Sequence, residues 1–376
     1  MTTTFAVLGI HGYGRYHLAE IARLQAEGLA EVVAVADPRG ADGAEHLPAG
    51  VPCYADLDEL LAHVVPDVVT LATPIHTHAP LAITALRAGA HVLVEKPTTA
   101  TLAELTELVQ TSQETGRVVQ VGFQSFGSHA YPEIQRLVES GTIGELTGLG
   151  GVGTWSRTLS YYQRSRWAGT RVLDGVPVVD GVVTNPLAHC VATALKIAGA
   201  PRAEDVASVD LELYHAHDIE ADDTSSVRVT TTAGTRLTFG LTLAGPGHTP
   251  PTIIVQGTRG ELVFSYTDDR LWTRTADGET QTRFERTGML RNLVEHLTEG
   301  VPLLAPAEDT GAFMRVLEAV RTAPDPAPVD PAYVTWLGEG DESYPVIADI
   351  ETWCARAAAE HKLFSELGAP WAGPRG

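Results

Sequence analysis

A lysine stands where a short apolar run, His91-Val92-Leu93-Val94, gives way to Glu95-Lys96-Pro97. If that run is a buried strand of a parallel sheet, it ends at the edge where open α/β folds bind ligands, so Lys96 can meet a substrate and handle its proton. A second strand end carries a glycine-rich turn. Thr4 to Leu8 lead into Gly9-Ile10-His11-Gly12-Tyr13-Gly14 and then into a helical pattern with Leu18, Ile21 and Ala22 on one side. Backbone N–H groups at such a turn cradle phosphate. Val32 to Ala36 end in Asp37, roughly twenty residues past the glycines, where a carboxylate accepts hydrogen bonds from a ribose. The spacing suits a dinucleotide.

Further apolar runs at Val68 to Ala72 and Val118 to Val121 alternate with helical stretches, which reads as repeated βαβ units on a parallel sheet. Thr101 with Glu104 gives one helix a capping-box start, Leu102, Leu105, Leu108 and Val109 give it a buried face, and Gly116 closes it. Set on G-x-G-x-x-G, Gly9 and Gly14 hold the outer positions, but His11 takes the middle one, with Gly12 a residue later. A side chain there means either a turn shifted onto Gly12, the preferred reading, or a weakened site. A glycine-rich connection with no nucleotide is the bland alternative.

Taken in order, Gly9 to Gly14 with His17, Thr73-Pro74 with His78, and Ala88 to Val92 with Glu95-Lys96-Pro97 resemble the signature of the Gfo/Idh/MocA oxidoreductases. The resemblance is strong through about residue 125, recognisable to about 265 and weak at the end. It implies an α/β fold, with an N-terminal Rossmann dinucleotide-binding domain over residues 1–125. An α+β domain over 126–376 would follow, its large open, mainly antiparallel sheet serving substrate binding and oligomerisation, with 325–376 as a C-terminal tail carrying one helix. Cofactor contacts are expected from Gly9, His11, Gly12, Tyr13, Gly14, Asp37, Arg39, Thr73, Pro74, His78, Glu95, Lys96 and Trp167. Lys96 is implied to sit beside nicotinamide and substrate.

The family's second signature, Asp-x-Gly-x-His, is best matched by Asn185-Pro186-Leu187-Ala188-His189, which keeps only the histidine. Asparagine can hydrogen-bond a hydroxyl but cannot take up a proton at neutral pH, so acid/base duty is expected of Lys96 and His189, with Asn185 orienting the substrate. Asp180 either compensates for the missing acid or is a turn residue before Gly181. The competing structural readings are an ion pair of Lys96 with Glu95 and a satisfied core histidine at 189.

The chain of 376 residues, 44% hydrophobic, is long enough for two cores. Against 47 Asp and Glu it has 26 Lys and Arg, and a net charge of −21 argues against nucleic acid or an anionic membrane as partner. Cys53, Cys190 and Cys354 form no CxxC pattern, which fits a reducing cytoplasm. Cys190 follows His189, but helical neighbours point about 100° apart, so a thiol catalyst is disfavoured. The first strand starts near Met1 and no apolar run approaches a membrane span, so neither targeting nor insertion is expected and a cytoplasmic location is.

Strand-like runs follow at Leu146 to Trp155, Ser208 to His217, Ser225 to Thr231, Arg236 to Leu243, Thr252 to Gln256 and Glu261 to Tyr266, with Ala233-Gly234 as a hairpin turn. Helices marked by Leu290, Leu293 and Val294, and by Phe313, Val316 and Leu317, are expected to cover one side of this sheet. The other side would be left for association, by resemblance into a homodimer or homotetramer. The stretch Tyr161 to Gly169 is rich in aromatics and bases, so Tyr161 and Arg166 join Asn185 and His189 as candidate contacts to a small polar, sugar-like substrate. His215 and His217 lack a third ligand, and no metal is expected. Three functions compete: an NAD(P)-dependent dehydrogenase or reductase of a sugar, cyclitol or polyol, an NAD-retaining glycosidase, and a non-catalytic sugar or dinucleotide sensor. Asp37 favours NAD, while Arg39 admits NADP.

Overall fold

The computed structural model describes residues 2–373, which divide into two compact units, 2–127 with 287–310 and 128–286 with 311–373. In the first unit β1 (Thr3–Leu8), β2 (Ala30–Ala36), β3 (Cys53–Tyr54), β4 (Val68–Leu71), β5 (His91–Val94) and β6 (Val119–Val121) form a six-stranded sheet. Every pairing is parallel and the order is β3-β2-β1-β4-β5-β6. Such strands are covered on both faces, which is why β4 is buried throughout and reads as an unbroken apolar run. The order reverses between β1 and β4, so the loops after these strands flank the switch point where doubly wound sheets bind ligands. Thr101 and Glu104 form the capping box of helix Leu102–Thr115, and Gly116 ends it at φ +65°.

Helix Met289–Glu299 packs in this first unit, against helix Gly14–Ala26 and β6, and not on the second sheet as its apolar stripe was expected to do. Periodicity shows that a helix has a face to bury but not against what. A buried amide pair fixes its place: Gln120 Nε2 donates to Asn292 Oδ1 at 2.7 Å, and Gln120 Oε1 accepts from the Ala305 N–H at 3.0 Å.

The second unit is built on nine strands: β7 (Leu146–Thr154), β10 (Val206–His215), β11 (Thr224–Thr231), β12 (Arg236–Thr242), β13 (Thr252–Gly257), β14 (Gly260–Ser265), β15 (Arg270–Thr275), β16 (Gly278–Arg283) and β17 (Ala327–Pro328). A separate small hairpin joins β8 (Val172–Leu173) to β9 (Val176–Pro177). The order is β16-β15-β14-β13-β7-β12-β11-β10-β17, antiparallel except for the β7/β12 and β10/β17 pairs. Val227 faces Phe239 and Val229 faces Leu237 across the β11–β12 hairpin, whose turn uses Gly234 at φ +87°. These side chains are buried, and helices Ala188–Ile197 and Gly311–Thr322 pack on the sheet. The alternation that marks the inner strands is missing from β16, which is exposed along its whole length. Accordingly β15 and β16 were not foreseen.

The sheet's other face is not left open. A hairpin of β18 (Val334–Leu337) and β19 (Tyr344–Ile347) leads into helix Ile350–Glu360, which lies on β7 and β12. Its backbone comes so close that a Cβ on Gly240 would lie 2.5 Å from Cys354 Cα, and one on Gly150 2.7 Å from the Ala358 carbonyl oxygen. Beyond the helix, the Phe364 N–H donates to Ser226 Oγ at 3.1 Å, the Ser365 N–H to Glu212 Oε2 at 3.1 Å, and Arg228 pairs with Glu366 at 2.8 Å. The chain's own C-terminal segment thus covers the centre of the face expected to receive a second copy. Among the described residues no helix is long and apolar enough to cross a membrane.

Because the atoms facing Gly240 are backbone and cannot swing aside, Gly240→Ala should lower unfolding free energy by about 1–3 kcal/mol in chemical denaturation. Unchanged stability would mean that the helix does not rest on the sheet.

Candidate active site

In the first unit, Gly9 and Gly14 are held by close packing. Gly9 sits at φ +82°, where a Cβ would strike the Ala72 carbonyl, and a Cβ on Gly14 would strike the carbonyl of Gly9. These two let the turn close on the end of β4 and the helix close on the turn. Gly12 differs, since a Cβ there would meet nothing within 4 Å. Gly12 is thus the open position of the turn. His11 turns toward the loop after β2, its Nε2 donating to the Gly40 carbonyl at 2.8 Å.

Asp37 is buried at the end of β2 and accepts from the Ile10 N–H at 3.2 Å and the Arg39 N–H at 3.0 Å. Arg39 folds back onto it with Nε 3.1 Å from Oδ1 and Nη2 3.2 Å from Oδ2. Burial alone would raise the carboxyl pKa, but the Arg39 hydrogen bonds outweigh it and hold Asp37 below its ordinary value. The residues present therefore fit a dinucleotide: an accessible backbone at Gly12 and an ionised acceptor at Asp37.

The loops after β4 and β5 are tied by His78, a buried imidazole whose Nδ1 lies 2.9 Å from the Pro97 carbonyl and whose Nε2 lies 2.9 Å from that of Thr73. Burial pushes its pKa down. Thr73 and Pro74 form the turn before it, with Thr77 Oγ1 2.7 Å from both Thr73 Oγ1 and the Pro74 carbonyl oxygen. Glu95, only 8% exposed, accepts from His17 Nε2 at 3.0 Å, Gln124 Nε2 at 3.3 Å and the Lys96 N–H at 3.3 Å. Tyr13, 46% exposed, accepts from Gln124 Nε2 at 3.2 Å through its hydroxyl oxygen. From Val92 to Ala100 every residue is buried except Lys96. Gln124 was missed in the sequence, where nothing but its position after β6 marks it.

In the second unit, Gly181 to Cys190 are buried except Asn185, Pro186 and His189. Asn185 lies in the turn that precedes helix Ala188–Ile197, and His189 in the helix's first turn. Asn185 Nδ2 donates to Asp180 Oδ1 at 2.5 Å, while Asp180 Oδ2 accepts from the Gly169 N–H at 2.8 Å and lies 3.7 Å from Arg164 Nη2. Leu187, where the family signature has glycine, is fully buried, and Gly153 opposite it has no room for a Cβ. The His189 ring lies 6.3 Å from that of Tyr266, 26° from parallel. Below the segment, Asp222 accepts from Ser225 Oγ at 2.7 Å, and burial raises its pKa to about 6. Cys190 is wholly buried and its thiol pKa is pushed up by burial, which leaves no thiolate for chemistry.

The aromatic and basic stretch divides its arginines. Arg166 is 76% exposed and pairs with exposed Asp174 at 3.1 Å, whereas Arg164 turns toward Asp180 and lies over the rings of Tyr161 and Trp167 at 3.6 and 4.7 Å. Arg166, expected at the substrate, lies on the surface, and spacing alone does not say which of the two arginines meets the aromatic rings. His217 is engaged on both ring nitrogens, Nδ1 by Asp223 at 2.7 Å and Nε2 by the Arg157 carbonyl at 2.9 Å. His215 Nδ1 lies 2.7 Å from the His217 carbonyl oxygen.

Residues 3–123 match the family model described as an oxidoreductase family with an NAD-binding Rossmann fold, and residues 131–263 match the GFO/IDH/MocA C-terminal domain. Among curated proteins, inositol 2-dehydrogenase of Rhodococcus jostii is 37% identical over 145 residues, 38% of this chain and 39% of that protein. The dTDP-3,4-didehydro-2,6-dideoxy-alpha-D-glucose 3-reductase of Streptomyces violaceoruber is 38% identical over 92 residues, 24% of this chain and 27% of that protein. The chain thus matches well under half the length of these relatives. Two solved structures share the fold. The WlbA dehydrogenase of Bordetella pertussis, in complex with NADH and UDP-GlcNAcA, gives a TM-score of 0.70 at 22% identity, covering 85% of this chain and 95% of that one. An NAD binding oxidoreductase of Klebsiella pneumoniae gives 0.71 at 18% identity, covering 85% and 96%. Matched by both models, the chain belongs to the Gfo/Idh/MocA oxidoreductase family, and its first unit is an NAD-binding Rossmann domain.

Proposed function

We propose that this protein is an NAD-dependent dehydrogenase that interconverts a secondary alcohol and a ketone on a sugar, cyclitol or related polyol. One observation carries the reading: Lys96 is the single partly exposed residue of an otherwise buried strand end, on the sheet edge that also bears the Gly9–Gly14 turn and Asp37. The bound nicotinamide supplies the hydride acceptor or donor. Backbone N–H groups around Gly12 hold the pyrophosphate, and Asp37 accepts from the adenosine ribose hydroxyls. Lys96 takes or returns the proton of the reacting hydroxyl, His189 is the second group able to carry it, and Asn185 orients the hydroxyl without titrating. The three cysteines are unpaired, in keeping with a reducing cytoplasm as the place of action.

Gly12→Ala should leave stability within about 0.5 kcal/mol of wild type while weakening NAD binding in calorimetry. Gly9→Ala should instead unfold at lower denaturant, since both its φ and the Ala72 carbonyl oppose a side chain. Equal NAD affinity in Gly12→Ala would remove the pyrophosphate from this turn.

A screen of sugars, uronates, aminosugars and inositols should find one that yields steadily accumulating NADH, which an enzyme returning its hydride within each turnover would not give. On that substrate Lys96→Ala and His189→Ala should each lower kcat by about 10²-fold or more. Near wild-type turnover in either variant would refute its role.

NADP should be used less well than NAD, by on the order of tenfold in kcat/KM, because a 2′-phosphate meets the Asp37 carboxylate. Asp37→Ala should narrow that gap. A wild-type preference for NADP would contradict the assignment.

A further inference from the structure

Six side chains of the second unit form one continuous stack. His248 lies on Trp155, ring centroids 4.6 Å apart and 13° from parallel. The Arg157 guanidinium is 4.9 Å from the Trp155 ring centre and 4.8 Å from that of Tyr161. Arg164 covers Tyr161 from 3.6 Å and Trp167 from 4.7 Å. Cations and rings alternate, each guanidinium having two aromatic neighbours. The stack is anchored to the sheet end by Trp155 Nε1, which donates to the Thr249 carbonyl at 3.0 Å, and by the Arg157 N–H, which donates to that of Leu243 at 3.0 Å.

The two arginines differ in their anions. Arg164 lies 3.7 Å from Asp180, the carboxylate that holds the Asn185 amide. Arg157 has no carboxylate within 4.0 Å among the described residues, although it is partly buried and its Nε is enclosed without a hydrogen-bond partner. Its Nη1 donates to the Ser156 carbonyl at 3.0 Å. The partly buried guanidinium lies against two rings with no carboxylate beside it, so an added anion would find an uncompensated positive charge there. In a chain of net charge −21 such a site stands out from its surroundings. The charged form of His248 is disfavoured first by burial and also by Arg157, which reports the same local positive potential.

We propose that this stack binds an oxyanion carried by the substrate, a sugar carboxylate or a sugar phosphate. Arg157 is its ligand, positioned by its two aromatic neighbours, Trp155 and Tyr161. That the anion belongs to a substrate rests on the dehydrogenase reading above. The outer guanidinium N–H groups can donate charge-assisted hydrogen bonds to an oxygen of either group, and the flanking rings restrict the side chain before the ligand arrives. The contacts from Arg157 through Tyr161, Arg164 and Asp180 end on Asn185, so the loop that would grip the anion also holds the amide assigned to the reacting hydroxyl.

Calorimetric titration of the full chain with D-glucuronate, D-glucose 6-phosphate and D-glucose, with and without NADH, decides it without turnover. At least one anionic probe should bind about tenfold or more tightly than glucose, one charge-assisted contact, and the better of the two identifies the group. Arg157→Gln should abolish the preference, and Arg157→Lys should reduce it several-fold, because ammonium keeps the charge but loses the planar group that lies against the two rings. If Arg157→Gln fails to fold by circular dichroism, the lysine variant carries the test. Equal affinity for glucose and both anions, no binding of either anion at millimolar concentration, or a preference unchanged in the folded variants would overturn the proposal. Failure of the dehydrogenase reading shows separately, as absence of NADH formation from every polyol while the anion preference persists.

Discussion

Burial of the Glu95 carboxylate where β5 ends is the constraint that organises the functional edge of the first unit. A carboxylate removed from water must be met by donors, and those present come from three places: His17 on the helix after the glycine turn, Gln124 beyond β6, and the backbone of Lys96. Hydrogen bonds to a charged group are worth about 1.5–3 kcal/mol each, so their loss would strand a buried charge. Gly122 is glycine because a Cβ there would lie 2.7 Å from Glu95 Oε1. Tyr13 joins the turn to the same group through Gln124. His78 then fixes the chain just past Lys96 by its contact with the Pro97 carbonyl. The lysine is thus presented by a frame made largely of its neighbours' buried polar groups.

A similar device operates in the second unit. Where the family signature has an acid, this chain has Asn185, yet a carboxylate remains, five positions earlier in the chain at Asp180 and set behind the amide. An amide whose nitrogen donates to a carboxylate keeps an oxygen that can only accept. In the role proposed for it, Asn185 orients the hydroxyl and gives up titration. Leu187 is a second departure from the signature, and it is matched on β7 by Gly153, which leaves space for its side chain.

Much of this architecture is legible in the residues. The inner strands announce themselves by apolar runs or alternation, Thr101 and Glu104 by capping chemistry, and the β11–β12 turn by Gly234. What stays hidden is the choice of packing partner. Helix Met289–Glu299 and the C-terminal helix both show apolar stripes, but a stripe does not say that one returns to the parallel sheet while the other seals the second face of the mixed one. Gly148, Gly150 and Gly240 hold the clue, since a row of glycines on one sheet face admits another backbone at close range. The site is legible to the same depth. Lys96, Asp37 and the glycine turn follow from strand ends, but that Arg164 and not Arg166 lies on the aromatic rings, and that Gln124 is a partner of Glu95, depends on side-chain directions that spacing does not encode.

The most direct test of Lys96 as the residue presented to a nicotinamide is a crystal structure of the full chain with bound NAD. The predicted result has the pyrophosphate on the backbone at Gly12, the adenosine ribose hydroxyls on Asp37, and Lys96 Nζ within hydrogen-bond reach, about 3.5 Å, of the nicotinamide ribose or of a substrate hydroxyl beside the ring. A pyrophosphate bound away from the Gly9–Gly14 turn would contradict it. So would a Lys96 ammonium paired with a protein carboxylate when the cofactor is in place.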